Sequence, residues 1–154
     1  SNNDSDSDDV YSLYPFNMPA KQEPEEGQRY TAEVIVEVTD RKGNLVPISA
    51  LLDTGTSSTI ILTPFVAKGT TTPNKSGAQQ WETLGGKFST TSTARVSFKF
   101  PELDTSKVVT WACHVDDKTS KEDAFYDMII GMDLMVDIGI FVNTATRTID
   151  WPPN

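Results

Sequence analysis

The sequence has one cysteine and one histidine in 154 residues, and its charge balance runs strongly one way, with 13 Lys and Arg against 22 Asp and Glu. A lone Cys113 excludes an intrachain disulfide and a multi-cysteine zinc site, and a single core thiol is the usage of a reducing compartment such as the cytoplasm. No apolar run approaches the roughly 18 residues that a membrane helix needs, and the first residues carry neither the basic segment nor the apolar stretch of a secretory signal. Neither a membrane nor an export route is therefore expected. The basic residues are scattered rather than clustered, and a net charge of −9 disfavours contact with a phosphate backbone, so no direct nucleic-acid binding is expected. His114 adjoins Cys113, but neighbours on a strand face opposite sides, which separates them as a nucleophile and base. Ser57 and Ser58 have no credible base, and no spacing suggests a phosphate loop or a metal site, so no cofactor and no metal ligand are predicted.

The acidity that is present is uneven. Residues 1–29 hold seven acidic and two basic groups, whereas the remainder holds fifteen and eleven. The opening SNNDSDSDD cannot bury apolar surface and repels itself, so residues 1–29 read as a largely disordered acidic leader or linker, with a short apolar patch through Tyr11, Leu13, Tyr14, Phe16 and Met18. A single domain is predicted for residues 30–154.

Within that domain short strands dominate. Val34, Val36 and Val38 alternate on one face, and the Asp40-Arg41-Lys42-Gly43-Asn44 turn leads to a second strand from Leu45 that runs through Leu51 and Leu52 to Asp53. Residues 58–62 are β-branched and apolar, and Thr63-Pro64 opens a short helix that stops by Gly69. A polar loop is predicted over 69–78, then two strands around Leu84-Gly85-Gly86, the second continuing into the alternation of Ala94, Val96, Phe98 and Phe100. Residues 108–115 and 125–130 read as further strands, residues 132–138 as a short helix ended by Gly139, and residues 140–151 as a terminal hairpin. The expected class is all-β with one or two brief helices.

The chemistry concentrates in Ala50-Leu51-Leu52-Asp53-Thr54-Gly55-Thr56-Ser57-Ser58, where an apolar strand delivers a carboxylate to a glycine and small hydroxyl side chains. Asp-Thr-Gly by itself is ordinary turn chemistry. A second segment, Asp127-Met128-Ile129-Ile130-Gly131-Met132-Asp133-Leu134, follows 76 residues after Asp53, counted to Ile129. The two together resemble the active-site loop and the late supporting motif of the retropepsin-like aspartic proteases, the family of retroviral and long-terminal-repeat retrotransposon proteases. The resemblance spans about residues 30–151.

It implies a closed β-barrel with a flap hairpin and one short helix near the C-terminus. It makes Asp53 the catalytic aspartate, Thr54 the hydroxyl that interlocks two active-site loops, Gly55 the residue that permits the tight loop, and Thr56 a hydrogen-bonding neighbour. Gly55 is expected to use a backbone region closed to β-branched residues. Trp81, Leu84, Gly85 and Gly86 fall where the flap would lie, although a Gly-Gly turn also suits a plain hairpin. Ile129, Ile130 and Gly131 form the supporting motif. With one Asp-Thr-Gly per chain, the resemblance implies a homodimeric endopeptidase that uses an Asp-activated water on an extended peptide, in the processing of a polyprotein. The alternative is a noncatalytic peptide-binding or dimerisation domain that keeps the fold. Asp127, Asp133 and Asp137 read as solvated or helix-capping groups, Asp133 at a helix N-terminus.

Overall fold

A computed structural model of the chain describes residues 31–153. The leader of residues 1–29 and its apolar patch lie outside the described residues.

The alternation of the first strand becomes β1 (Ala32–Thr39), with Ala32, Val34, Val36 and Val38 buried and the intervening residues half-buried. The Asp40 carboxylate accepts the Lys42 and Asn44 amides at 2.9 Å and closes the turn into β2 (Leu45–Leu52), which pairs antiparallel with β1 from Ala32↔Leu52 to Thr39↔Leu45. Beyond the loop that begins at Asp53 come β3 (Ile60–Leu62) and one 3-10 turn (Thr63–Phe65). The predicted loop over 69–78 contains a short edge strand, β4 (Thr71–Pro73). Its partner is β6, distant in sequence, through Thr71↔Ala94, so no local periodicity announces it.

A hairpin follows, formed by β5 (Gln79–Thr83) and the long β6 (Gly86–Phe100). β6 turns back into β7 (Asp104–Asp116), longer than the predicted 108–115 segment. β8 is only Met128–Ile130, because Phe125, read from sequence as part of a buried strand, is 84% exposed. α1 (Met132–Ile138) ends at Gly139, whose left-handed φ of 78° lets its N–H reach the Met135 carbonyl. β9 (Phe141–Asn143) and β10 (Thr148–Asp150) make the terminal hairpin.

Pairing runs β1-β2-β8-β3-β7-β6 and returns to β1 through Val38↔Phe98, which closes a six-stranded barrel. The expected all-β closed barrel with one short helix near the C-terminus is what the described residues form. Two parallel pairings, Leu51↔Ile129 in β2–β8 and Ile60↔His114 in β3–β7, bring distant segments side by side. Every residue of β3 and β8 is buried, as is the end of β2, so this seam is apolar on both faces. No described helix is long and apolar enough to cross a membrane.

Candidate active site

The loop from Asp53 to Thr59 joins two strands that are not neighbours, since β8 lies between β2 and β3. It must therefore arch over the end of β8, and the residues that follow β8 clamp it. The Asp53 N–H donates to the Ile130 carbonyl at 2.9 Å, and the Met132 and Asp133 amides donate to Thr56 and Ser57 carbonyls at 2.8 and 3.3 Å. Gly131 lies under the arch: a β-carbon there would sit 2.6 Å from the Ser58 carbonyl oxygen and 2.7 Å from that of Thr56. Its φ of −94° is ordinary, so the requirement is space rather than conformation. Ile130 and Gly131 thus adjoin the loop, whereas Ile129 pairs with Leu51 and Ile60 in the strands on either side of β8.

The Asp53 carboxylate is buried, with 2% of the residue exposed. One oxygen, Oδ1, accepts the Gly55 N–H at 2.9 Å; the other, Oδ2, accepts the Thr56 hydroxyl at 2.7 Å and the Leu84 N–H at 2.8 Å. Gly55 does not occupy the positive-φ region, contrary to the expectation drawn from its sequence context. A β-carbon there would instead come within 3.3 Å of Asp53 Oδ1, so its small size serves the approach of the carboxylate. Thr56 is buried beside Asp53, whereas Thr54 points outward and is exposed. Thr54 lines two surface depressions, one of about 520 Å³ shared with Leu84 and Arg147, the other of about 320 Å³ shared with Met132, Val136 and Phe141.

Leu84, Gly85 and Gly86 form the tip of the β5–β6 hairpin. Trp81, at its base, is held by a 2.9 Å bond from its indole N–H to the Thr90 hydroxyl and lies against His114, with ring centroids 4.8 Å apart. His114 and Cys113 face opposite ways as strand geometry requires, Cys113 fully buried and His114 half-buried. Burial pushes the Cys113 thiol up to about 12, with the Asp133 charge adding to the effect. Burial likewise lowers the His114 pKa, against a smaller opposing pull from Asp133. No described residue gives the His114 Nδ1 a hydrogen-bond partner.

The sequence placed Asp133 at a helix N-terminus but did not reveal what it holds. Its carboxylate accepts the Leu134 N–H at 2.7 Å, the Thr59 N–H at 3.2 Å and hydroxyl at 2.8 Å, and the Trp111 indole N–H at 2.9 Å. The same Thr59 hydroxyl oxygen accepts the Gly131 N–H at 3.2 Å. Thr59 and Trp111, read only as strand residues, are thereby tied to the far end of the Asp53 loop. Asp127 accepts the Ser49 N–H at 3.2 Å across β2, and Asp137 is exposed. A second fully buried carboxylate, Asp116, is taken up by Lys118, Thr119 and Ser89 donors between 2.7 and 3.1 Å, a structural role in its own loop.

No protein-family model matches the sequence, and no curated protein matches it. Solved structures do resemble the chain. The retroviral protease-like domain of Ddi1 from Leishmania major superposes over 79% of this chain and 89% of its own, at 12% identity and a TM-score of 0.46. A protein of unknown function from Legionella pneumophila, Lpg0085, covers 70% and 85% at 17% identity and a TM-score of 0.41. The EIAV protease, solved with the inhibitor HBY-793, covers 77% and 95% at 20% identity and a TM-score of 0.39. The chemistry of the site rests on its own geometry.

Proposed function

We propose that the chain is one subunit of a homodimeric aspartic endopeptidase in which Asp53 of each of two copies builds a single site. The observation that carries this reading is the buried Asp53 carboxylate, oriented by the Gly55 N–H and the Thr56 hydroxyl in a loop clamped from below by residues 130–133. Hydrolysis of an amide by an activated water needs a base and an acid, and one chain offers one such carboxylate. A two-fold axis supplies both from the same residue, and a shared proton relieves the repulsion of two like charges in contact.

The ionised Asp53 takes a proton from a water whose oxygen bonds to the peptide carbonyl carbon, while the protonated partner gives its proton to the carbonyl oxygen. The tetrahedral intermediate collapses as the C–N bond breaks and the nitrogen takes up a proton, releasing acid and amine without an acyl-enzyme. The β5–β6 hairpin is the flap, and an extended peptide beneath it is held by backbone bonds while side-chain depressions select sequence. Processing of a polyprotein, as in retrotransposons, fits such selective cleavage.

The face around Thr54 supports the dimer: Met132, Val136 and Phe141 are 39%, 70% and 44% exposed there, an apolar surface beside the site. A peptide-library assay at mildly acidic to neutral pH, comparing the parent with Asp53→Asn, tests the reading. Loss of cleavage is expected in the variant, and equal cleavage by both proteins would refute it. Turnover per subunit should also fall on dilution as the dimer dissociates. Peptide binding by a stable dimer with no Asp53-dependent turnover would instead identify the noncatalytic alternative.

A further inference from the structure

The tip of a flap hairpin would ordinarily stand free in solvent, yet Gly85 is buried. A β-carbon on Gly85 would meet Ile129 Cδ1 at 2.6 Å, Tyr126 Cδ2 at 3.0 Å and Leu51 Cδ2 at 3.3 Å, so the backbone of the tip is pressed into a seat formed by these three side chains. The seat is fixed on both sides. Leu51 and Ile129 are cross-strand partners in the buried β2–β8 seam, and the Tyr126 hydroxyl donates to Glu33 Oε2 at 2.8 Å. The tip is also braced internally: the Thr83 hydroxyl donates to the Gly86 carbonyl at 2.9 Å, and its oxygen accepts the Gly85 N–H at 3.0 Å. This bracing aims the Leu84 N–H at Asp53 Oδ2, at 2.8 Å.

We infer that in the single subunit the flap tip is a latch that occupies the subunit's own Asp53 site. The inference rests on Asp53 being the working carboxylate. With Thr56 on Oδ2 and Gly55 on Oδ1 orienting the group, the Leu84 N–H on Oδ2 adds a third donor to the carboxylate that a water or substrate must reach. Gly85 covers the apolar wall of Leu51 and Ile129 next to it, where a substrate side chain would otherwise lie. A peptide therefore competes with the subunit's own hairpin, and the separated subunit is held closed rather than merely incomplete. Gly85 is the position that permits the latch, since a β-carbon there presses on the Ile129 and Tyr126 side chains and one of them must shift, while its φ lies outside the positive region and allows alanine.

Two measurements read the latch without requiring turnover. The first is amide hydrogen exchange in the dilute, monomeric protein. The Leu84 N–H is expected to exchange about 10- to 100-fold more slowly in the parent than in Gly85→Ala or Asp53→Ala, the range that a hydrogen bond to a charged group supports. Protection of the Trp81 and Phe88 amides in the hairpin ladder should be unchanged, which shows that each variant is folded. The second is alkylation of Asp53 by a small epoxide, located by peptide mapping. The carboxylate oxygen bonds to an epoxide carbon as the epoxide C–O bond breaks, and water supplies the proton to the released alkoxide. Labelling of Asp53 should be about tenfold faster in Gly85→Ala, the lower end of the same range, with the exposed Glu82 and Asp137 as internal references. Free-turn exchange of Leu84 in the parent, or equal rates of Asp53 labelling in parent and Gly85→Ala, would overturn the latch. Failure of Asp53-dependent proteolysis with Leu84 protected would overturn the enzymatic reading and leave the contact standing.

Discussion

Replacing Gly131 with alanine should damage the protein far more than its ordinary backbone angles suggest. The added methyl would stand 2.6 Å from the Ser58 carbonyl oxygen, 2.7 Å from that of Thr56 and 2.8 Å from the Ser58 carbonyl carbon. None of these atoms belongs to a side chain that can rotate away. To reach ordinary contact at about 3.4 Å the loop must shift by about 0.8 Å, comparable with the local overpacking that costs about 1–3 kcal/mol in well-packed sites. The same shift strains the Met132 N–H bond to the Thr56 carbonyl at 2.8 Å and the Gly131 N–H bond to the Thr59 hydroxyl at 3.2 Å. At roughly 1 kcal/mol each, these bring the expected loss to about 3–5 kcal/mol, a large share of the about 5–15 kcal/mol that holds a domain together. Urea unfolding followed by tryptophan fluorescence, at one protein concentration to keep subunit association constant, measures it. Gly139→Ala is the informative comparison. Gly139 has a φ of 78° and no atom within 4 Å of the point where an added methyl would stand, so its cost is backbone conformation alone, about 1–2 kcal/mol. A Gly131→Ala loss below about 1 kcal/mol, or one equal to that of Gly139→Ala, would refute the argument from close approach.

Other outcomes follow from the same geometry. In the proposed homodimer, Val136→Glu, at a 70% exposed position on α1 beside Thr54, should leave monomer stability nearly unchanged but raise the dimer dissociation constant at least about tenfold, because a two-fold axis there would bring two like charges into one apolar face; sedimentation across a dilution series measures this, and an unchanged constant would remove α1 from the interface. Cys113 is fully buried with its thiol pushed up to about 12, so an aromatic disulfide reagent should label it only at the rate of unfolding, and immediate stoichiometric reaction in native buffer would contradict its placement. Burial lowers the His114 pKa from its ordinary 6.5, so the unfolded chain binds the proton more readily than the folded one. Its contribution to stability is complete above about pH 6.5, declines as pH falls through that value, and levels off below the folded pKa. His114→Gln should flatten the stability slope between pH 7 and about 5.5, the range in which an ordinary histidine titrates, and identical slopes in parent and variant would exclude this role.

Elements whose cause is local were legible in the chain. The alternation of Val34, Val36 and Val38, the Asp40 turn, the helix from Met132 stopped by Gly139 and the terminal hairpin each depend on side-chain period or on one residue's backbone freedom. The Asp53 loop could be located for the same reason, since strand, carboxylate, glycine and hydroxyls are consecutive. What the loop is made to do was decided elsewhere. Phe125 lies outside the strand its apolar character suggested, and β4 exists only because β6 passes beside it. Gly55 is favoured by the approach of a carboxylate rather than by φ, and Gly131 is required by two carbonyls more than 70 positions earlier. Thr59, Trp111 and Asp133 form one clamp, and Leu84 and Gly85 seat on Asp53, Leu51 and Ile129. The amino-acid sequence by itself determined most of the strands, the helix and the position of the carboxylate, because those follow from interactions within a few residues. The closed barrel was expected through the resemblance of two motifs rather than from any period, and the clamp and the docked hairpin tip came only with the tertiary structure, because each is a contact between segments whose spacing along the chain carries no periodic signal.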